Sequence, residues 1–133
     1  MSAEPQIIPY LYYEDAGTAI EFMESAFGFT IVEAFRHPDS GAVLHATVDT
    51  GRGHIFVGPG MDEFGTRATP DAERVSSMTY VNVDGVDDHY ARASAAGAKV
   101  WAEPHEHFGG NRQYTASDPG GQRWTFAEPV AQE

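Results

Sequence analysis

Apolar positions recur along the chain in two alternating rhythms. Ile20, Met23 and Phe27, with Phe22 and Ala26 beside them, fall at helical spacing behind Asp15, a residue that caps helices, and ahead of Gly28, which ends them. Val86, Tyr90 and Ala93 repeat the device between Asp84, expected to cap, and Gly97. Strand-like stretches surround both helices: Ile7–Tyr13, Phe29–His37, Ala42–Asp49 and His54–Gly58 in the first half, and Ser76–Val83, Lys99–His105, Arg112–Ser117 and Gln122–Ala127 in the second. The last of these alternates Trp124 and Phe126 with Arg123 and Thr125, the period of a half-buried strand. Turns are marked by Pro38-Asp39-Ser40-Gly41, Thr50-Gly51-Arg52-Gly53 and Asp118-Pro119-Gly120-Gly121.

The two halves match at an offset of 69 residues, which pairs Asp15 with Asp84, Gly28 with Gly97, Ile31 with Val100, Asp49 with Asp118 and Gly51 with Gly120. Each half therefore reads β-α-β-β-β. One such unit cannot close a core alone. The expected fold is α+β: two tandem βαβββ modules, 7–58 and 76–127, forming a curved eight-stranded sheet around a cleft with helices outside, all within one domain over 1–133. The segment 59–75 between them has little periodicity and is expected to be a connector. Its start, Pro59–Gly65, is the stretch that could act as a lid over the cleft.

Composition narrows the function. The chain has 133 residues, with 20 acidic and 8 basic side chains and a formal net charge of −12. A nucleic-acid binder would show a basic face, so that class is disfavoured. No apolar run is long enough to span a membrane, and the first residues look unlike a signal peptide, so a cytoplasmic protein is expected. The absence of cysteine excludes disulfides, thiolate nucleophiles and cysteine-bound zinc.

Several motifs carry a family resemblance: Pro9-Tyr10-Leu11; Asp15-Ala16 with Ala19-Ile20-Glu21-Phe22 and Ala26-Phe27-Gly28; Ala95-Ala96-Gly97-Ala98; and Gly110-Asn111-Arg112 leading to Asp118-Pro119-Gly120-Gly121 and Arg123-Trp124. Through these the chain resembles the glyoxalase, bleomycin-resistance and ring-cleaving dioxygenase superfamily, also called vicinal oxygen chelate proteins, and most of all its uncharacterised bacterial glyoxalase-like branch. The resemblance runs from about Ile7 to Ala127. It implies the paired-module fold and a homodimer whose clefts are built partly by both chains. For the enzymes of the family it also implies a divalent metal held by His or Glu on the first and last strand of each half. Here those positions fall near Ile8, Phe56, Met78 and Thr125, none of them such a ligand, and a slip of one residue restores none. The expectation is therefore no metal and no cofactor.

The leading reading is a metal-independent binding protein for a small aromatic or antibiotic-like molecule. Its expected ligand-binding residues are the strand aromatics Tyr10, Tyr12, Phe56, Tyr80, Tyr114, Trp101 and Trp124, with Met78, His45, His54 and Arg112. For Arg112 the residues leave two roles open: a structural bridge to a carboxylate such as Asp118, or recognition of a ligand's anionic or carbonyl group. The rival reading is a glyoxalase-like lyase or isomerase, using a relocated metal site among His45, His54, His105 and His107 or acid–base chemistry by a histidine. A third is an accessory subunit with a vestigial cleft.

Overall fold

The computed structural model describes residues 7–106 and 110–128. Two modules of the same plan follow one another. The first comprises β1 (Tyr10–Tyr12), α1 (Ala16–Phe27), β2 (Thr30–Arg36), β3 (Val43–Asp49) and β4 (His54–Gly58). The second comprises β5 (Thr79–Asn82), α2 (Val86–Ala95), β6 (Lys99–Glu106), β7 (Arg112–Ser117) and β8 (Arg123–Glu128). The eight strands form two four-stranded sheets, ordered β1-β4-β3-β2 and β5-β8-β7-β6. In each, the first strand runs parallel to the last and the others pair antiparallel.

Helix α1 forms for the reasons its sequence advertises. The Asp15 carboxylate accepts hydrogen bonds from the Thr18 N–H at 3.0 Å and the Thr18 hydroxyl at 2.9 Å. The backbone N–H partner holds the Asp15 carboxyl below the usual carboxylate range. Ala16, Ala19, Ile20, Met23, Ala26 and Phe27 are buried at helical spacing, and Gly28 closes the helix in the left-handed region at φ 73°. The second helix begins differently from expectation. Its N-cap is Gly85, at φ 71°, with no side-chain cap from its own segment. Asp84 instead reaches Arg52 of the β3–β4 turn at 3.0 Å, and the free Val86 N–H donates to the Glu128 carboxylate at the end of β8. A tertiary contact replaces the local cap.

The repeat also slips. The closing pair Asp49–His54 encloses a four-residue turn, whereas Ser117–Arg123 encloses five residues. Gly51, at φ 92°, is matched in conformation by Gly121, at φ 91°, rather than by Gly120. The extra residue frees Gly120 for another task. A Cβ added there would lie 2.3 Å from the Tyr13 ring.

Tyr13 and Asp118 join the modules. The Tyr13 hydroxyl donates to Asp118 Oδ2 at 2.5 Å, Trp124 Nε1–H donates to the same oxygen at 2.9 Å, and the Gln122 N–H donates to Oδ1 at 3.0 Å. Tyr13, Asp118 and Trp124 are buried, and Gln122 is half-buried. One apolar core spans both modules: Phe27 and Phe29 of the first pack on Trp124 and Phe126 of the second, with ring centroids between 4.7 and 6.2 Å apart. Arg92 of α2 adds a polar tie by donating to the carbonyls of Ser25 and Glu24, which end α1. The start of the connector, from Met61 to Thr66, folds on itself through mutual Met61–Thr66 hydrogen bonds and has no buried side chain. Among the described residues no helix is long and apolar enough to cross a membrane.

Two substitutions test the joint. Tyr13→Phe leaves a buried carboxylate short of one donor and is expected to cost about 1–3 kcal/mol. Gly120→Ala forces a methyl group into a ring held in place and is expected to cost a similar amount, about 1–3 kcal/mol. Urea denaturation measures both. A loss below about 0.5 kcal/mol, the range of an ordinary surface change, would show that the joint is not stabilising.

Candidate functional site

Alternation along each strand divides the side chains between two faces. In the first sheet Ala46, Val48, Ile55 and Val57 are buried in the common core. Their neighbours in sequence, His45, Thr47, His54 and Phe56, point to the other face. There the Tyr10 and Tyr12 rings stack at 4.7 Å and 8° between planes. Phe56 meets Tyr10 edge-on at 5.7 Å and His45 at 4.8 Å, and His45 Nδ1 lies 3.1 Å from the Tyr10 hydroxyl. Tyr10, Tyr12, His45 and Phe56 thus form one continuous group on the face turned away from α1. Partial burial raises the Tyr10 pKa, with the nearby Tyr12 acting in the same sense, so this phenol stays protonated.

Beside the group lies a cleft of about 350 Å³ between β1 and the connector, lined by Tyr10 and Tyr12 on one side and by Arg67, Thr69 and Arg74 on the other. Gln122 borders it and donates from its side chain to the Tyr12 carbonyl at 3.2 Å. The two arginines lie in the segment read from sequence as a connector, where neither periodicity nor motif marked them.

The remaining expected residues are distributed elsewhere. Met78 (56% exposed) and Tyr80 (48%) stand on the open face of the second sheet. The Thr125 hydroxyl donates to Met78 Sδ and shares a hydrogen bond with Thr115, and Asn111 donates to the Tyr80 hydroxyl. Trp101 is on the edge strand β6, three strand spacings or about 14 Å from β5. Its ring is covered by the Arg123 guanidinium at 3.9 Å and the Lys99 ammonium at 4.6 Å. Arg112 bridges to a carboxylate, but to Asp87 at 2.9 Å and Glu106 at 3.4 Å rather than to Asp118. Asp118 is occupied in the buried joint, and the pairing holds the Asp87 carboxyl low.

Tyr114 and Trp124 require a correction. Both have no exposed surface and sit on the helix-facing side, so they belong to the core and do not face the cleft. Strand alternation alone gave the two faces without saying which met the helices. Tyr114 packs on His89 of α2, with its hydroxyl 2.5 Å from Nδ1. Burial raises the Tyr114 pKa and lowers that of His89 to about 4.

The histidines do not converge. His45 and His54 share a sheet face, but His54 pairs with Asp49, four residues or about 13 Å along β3 from His45. His105 is on β6, where its Nδ1 lies 2.8 Å from the Glu103 carbonyl oxygen, and His107 lies outside the described residues. Among the described residues no group of three or more His, Asp or Glu is placed to hold a metal ion. The family's metal positions do not fit one either. Phe56 presents a ring and Met78 a thioether, and the Thr125 hydroxyl is engaged by Thr115. Hard divalent cations need several carboxylate, carbonyl or imidazole donors, and this set offers a single neutral hydroxyl.

The family model described as Glyoxalase/Bleomycin resistance protein/Dioxygenase superfamily matches residues 6–126. The chain belongs to that superfamily. An uncharacterised protein of Mycobacterium tuberculosis strain H37Rv is 28% identical over 133 residues, covering 98% of this chain and 78% of that protein. The crystal structure of TioX from Micromonospora sp. ML1 superposes with a TM-score of 0.71 at 27% identity, covering 97% of this chain and 99% of that one. The fosfomycin resistance protein FosX from Mesorhizobium loti shares the fold, with a TM-score of 0.67 at 13% identity over 97% of this chain and 95% of its own.

The buried imidazole sets a pH dependence. The unfolded chain takes up a proton on His89 near the ordinary 6.5, and the folded chain does so only near 4. Stability fully present above 6.5 is therefore lost as pH falls through that window. Asp118 acts in the opposite sense: burial raises its carboxyl pKa above 3.8, which favours the fold in acid. The urea midpoint is expected to fall from pH 7 toward pH 4.5, and His89→Gln, which can still accept from Tyr114, is expected to flatten that fall. An unchanged slope in the variant would assign the acid sensitivity to another group.

Proposed function

We propose that this chain is a small-molecule binding protein that holds an aromatic, antibiotic-like ligand against the Tyr10–Tyr12–Phe56 face without a metal. The observation that carries the reading is the stacked Tyr10–Tyr12 pair, left open beside a cleft of about 350 Å³ on the sheet face away from the helices. Ligand sites of this kind are mostly apolar, with a few fixed polar groups, and an aromatic wall favours flat conjugated molecules. His45 supplies a fixed polar group within the aromatic patch. The superfamily carries many chemistries on one fold, so family membership alone does not choose among them. The donor set at the family's metal positions argues for binding over metal-assisted catalysis.

A glyoxalase-like lyase or isomerase is the second reading, and the His45–Tyr10 contact at 3.1 Å is what favours it. An imidazole on an open aromatic face is a reasonable general base. His45→Gln would abolish turnover in that case while leaving ligand affinity largely intact.

The proposal includes assembly as a homodimer. Val32, Phe35 (57% exposed) and Leu44 stand on β2 and β3 as apolar surface that a second copy would cover, in keeping with the dimeric habit the family resemblance implies. Light scattering is expected to give twice the chain mass.

Thermal shift and fluorescence titration with a panel of planar aromatic compounds, in the presence of a chelator, test the binding reading. Binders are expected from the panel, with Tyr12→Leu weakening them about tenfold, the order of one lost aromatic contact. A panel that binds only after divalent metal is added would overturn metal independence. Binding that survives Tyr12→Leu unchanged would place the site elsewhere.

A further inference from the structure

Six of the 8 basic side chains have partners among the described residues. Arg52, Lys99 and Arg112 form ion pairs with Asp84, Glu73 and Asp87. Arg36, Arg92 and Arg123 donate to backbone carbonyls of Gly41, Ser25 and Ala72. The other two, Arg67 and Arg74, make no ion pair or side-chain hydrogen bond there, and both line the cleft beside Tyr10 and Tyr12. The cleft wall contains no acidic side chain, although the chain has 20. The two hollows that flank the start of α1 are instead lined by Glu14 and Asp15. On a chain of net charge −12, this cleft brings two guanidinium groups without an ion pair to a wall free of carboxylates.

We propose that this cleft selects an aromatic carboxylate, its ring against the Tyr10–Tyr12 stack and its carboxylate between Arg67 and Arg74. The inference rests on the small-molecule reading above and adds the ligand's charge. Guanidinium groups bind carboxylates through paired N–H donors, and they gain most where no protein carboxylate competes. The Thr69 and Ser77 hydroxyls on the same wall supply further donors, and a volume of about 350 Å³ suits one or two fused rings.

Isothermal titration calorimetry of the full chain with 2-naphthoate and with neutral 2-naphthamide tests this. The expected result is naphthoate binding at least tenfold tighter than the amide, with that advantage lost in the doubly substituted Arg67→Ala, Arg74→Ala protein and kept in Arg52→Ala, which removes a charge elsewhere. If acid and amide bind equally and Tyr12→Leu weakens both, the anion preference is overturned while the aromatic site stands. If neither compound binds, the carboxylate proposal and the aromatic-face reading are both overturned. If Arg52→Ala weakens naphthoate as much as the double substitution does, the preference is a property of net charge and the cleft assignment fails.

Discussion

A buried carboxylate holds the two halves of this protein in register. Asp118 leaves water only because three donors meet it: the Tyr13 hydroxyl from the end of the first module's leading strand, the Trp124 indole and the Gln122 backbone. An ionised carboxylate buried without partners would be far too costly, so the position of each donor is constrained by the others. The constraint passes outward. Tyr13 fixes the end of β1, and β1 carries the stacked tyrosines. Gly120, one residue longer into its turn than the first module's equivalent, gives the Tyr13 ring its seat. The aromatic face and the seam between the modules are thus set by the same few contacts.

The division of labour between sheet faces follows from this. Phe27, Phe29, Trp124, Phe126 and Tyr114 fill the side toward the helices and make one core from two repeats. The side away from the helices keeps rings that the core does not need. In the first sheet these are grouped and adjoin a cleft. In the second they are dispersed, with Met78 and Tyr80 near β8 and Trp101 on the far edge beneath two cations. The asymmetry places the candidate site at β1 and the connector rather than across both modules equally.

Local signals made much of the fold legible. The Asp15 cap, the apolar stripe to Phe27 and the Gly28 stop predicted α1, and strands β4 and β7 have the bounds their alternation suggested. What failed was non-local. Asp84 looks like a cap, but Glu128, 42 residues away from Val86, performs that role. Arg112 needed a carboxylate, and only the packing of α2 reveals it as Asp87. Trp124 and Tyr114 had the right alternation for either face, because phase within a strand does not state which side a helix will cover. Tyr10 and Tyr12 share a face by their spacing, but only the pairing of β1, β4 and β3 brings Phe56 and His45 beside them. Arg67 and Arg74 were not legible, because a connector's contacts are fixed by where its ends are anchored.

The most direct test of the account is nuclear magnetic resonance of the isotopically labelled protein in chelator, titrated with the tightest aromatic binder found. Shift changes are expected to centre on Tyr10, Tyr12, His45 and Phe56, with the helix-facing Trp124 and Phe126 left largely unmoved. Changes centred on Trp101, or a response that appears only when a divalent metal is restored, would contradict it.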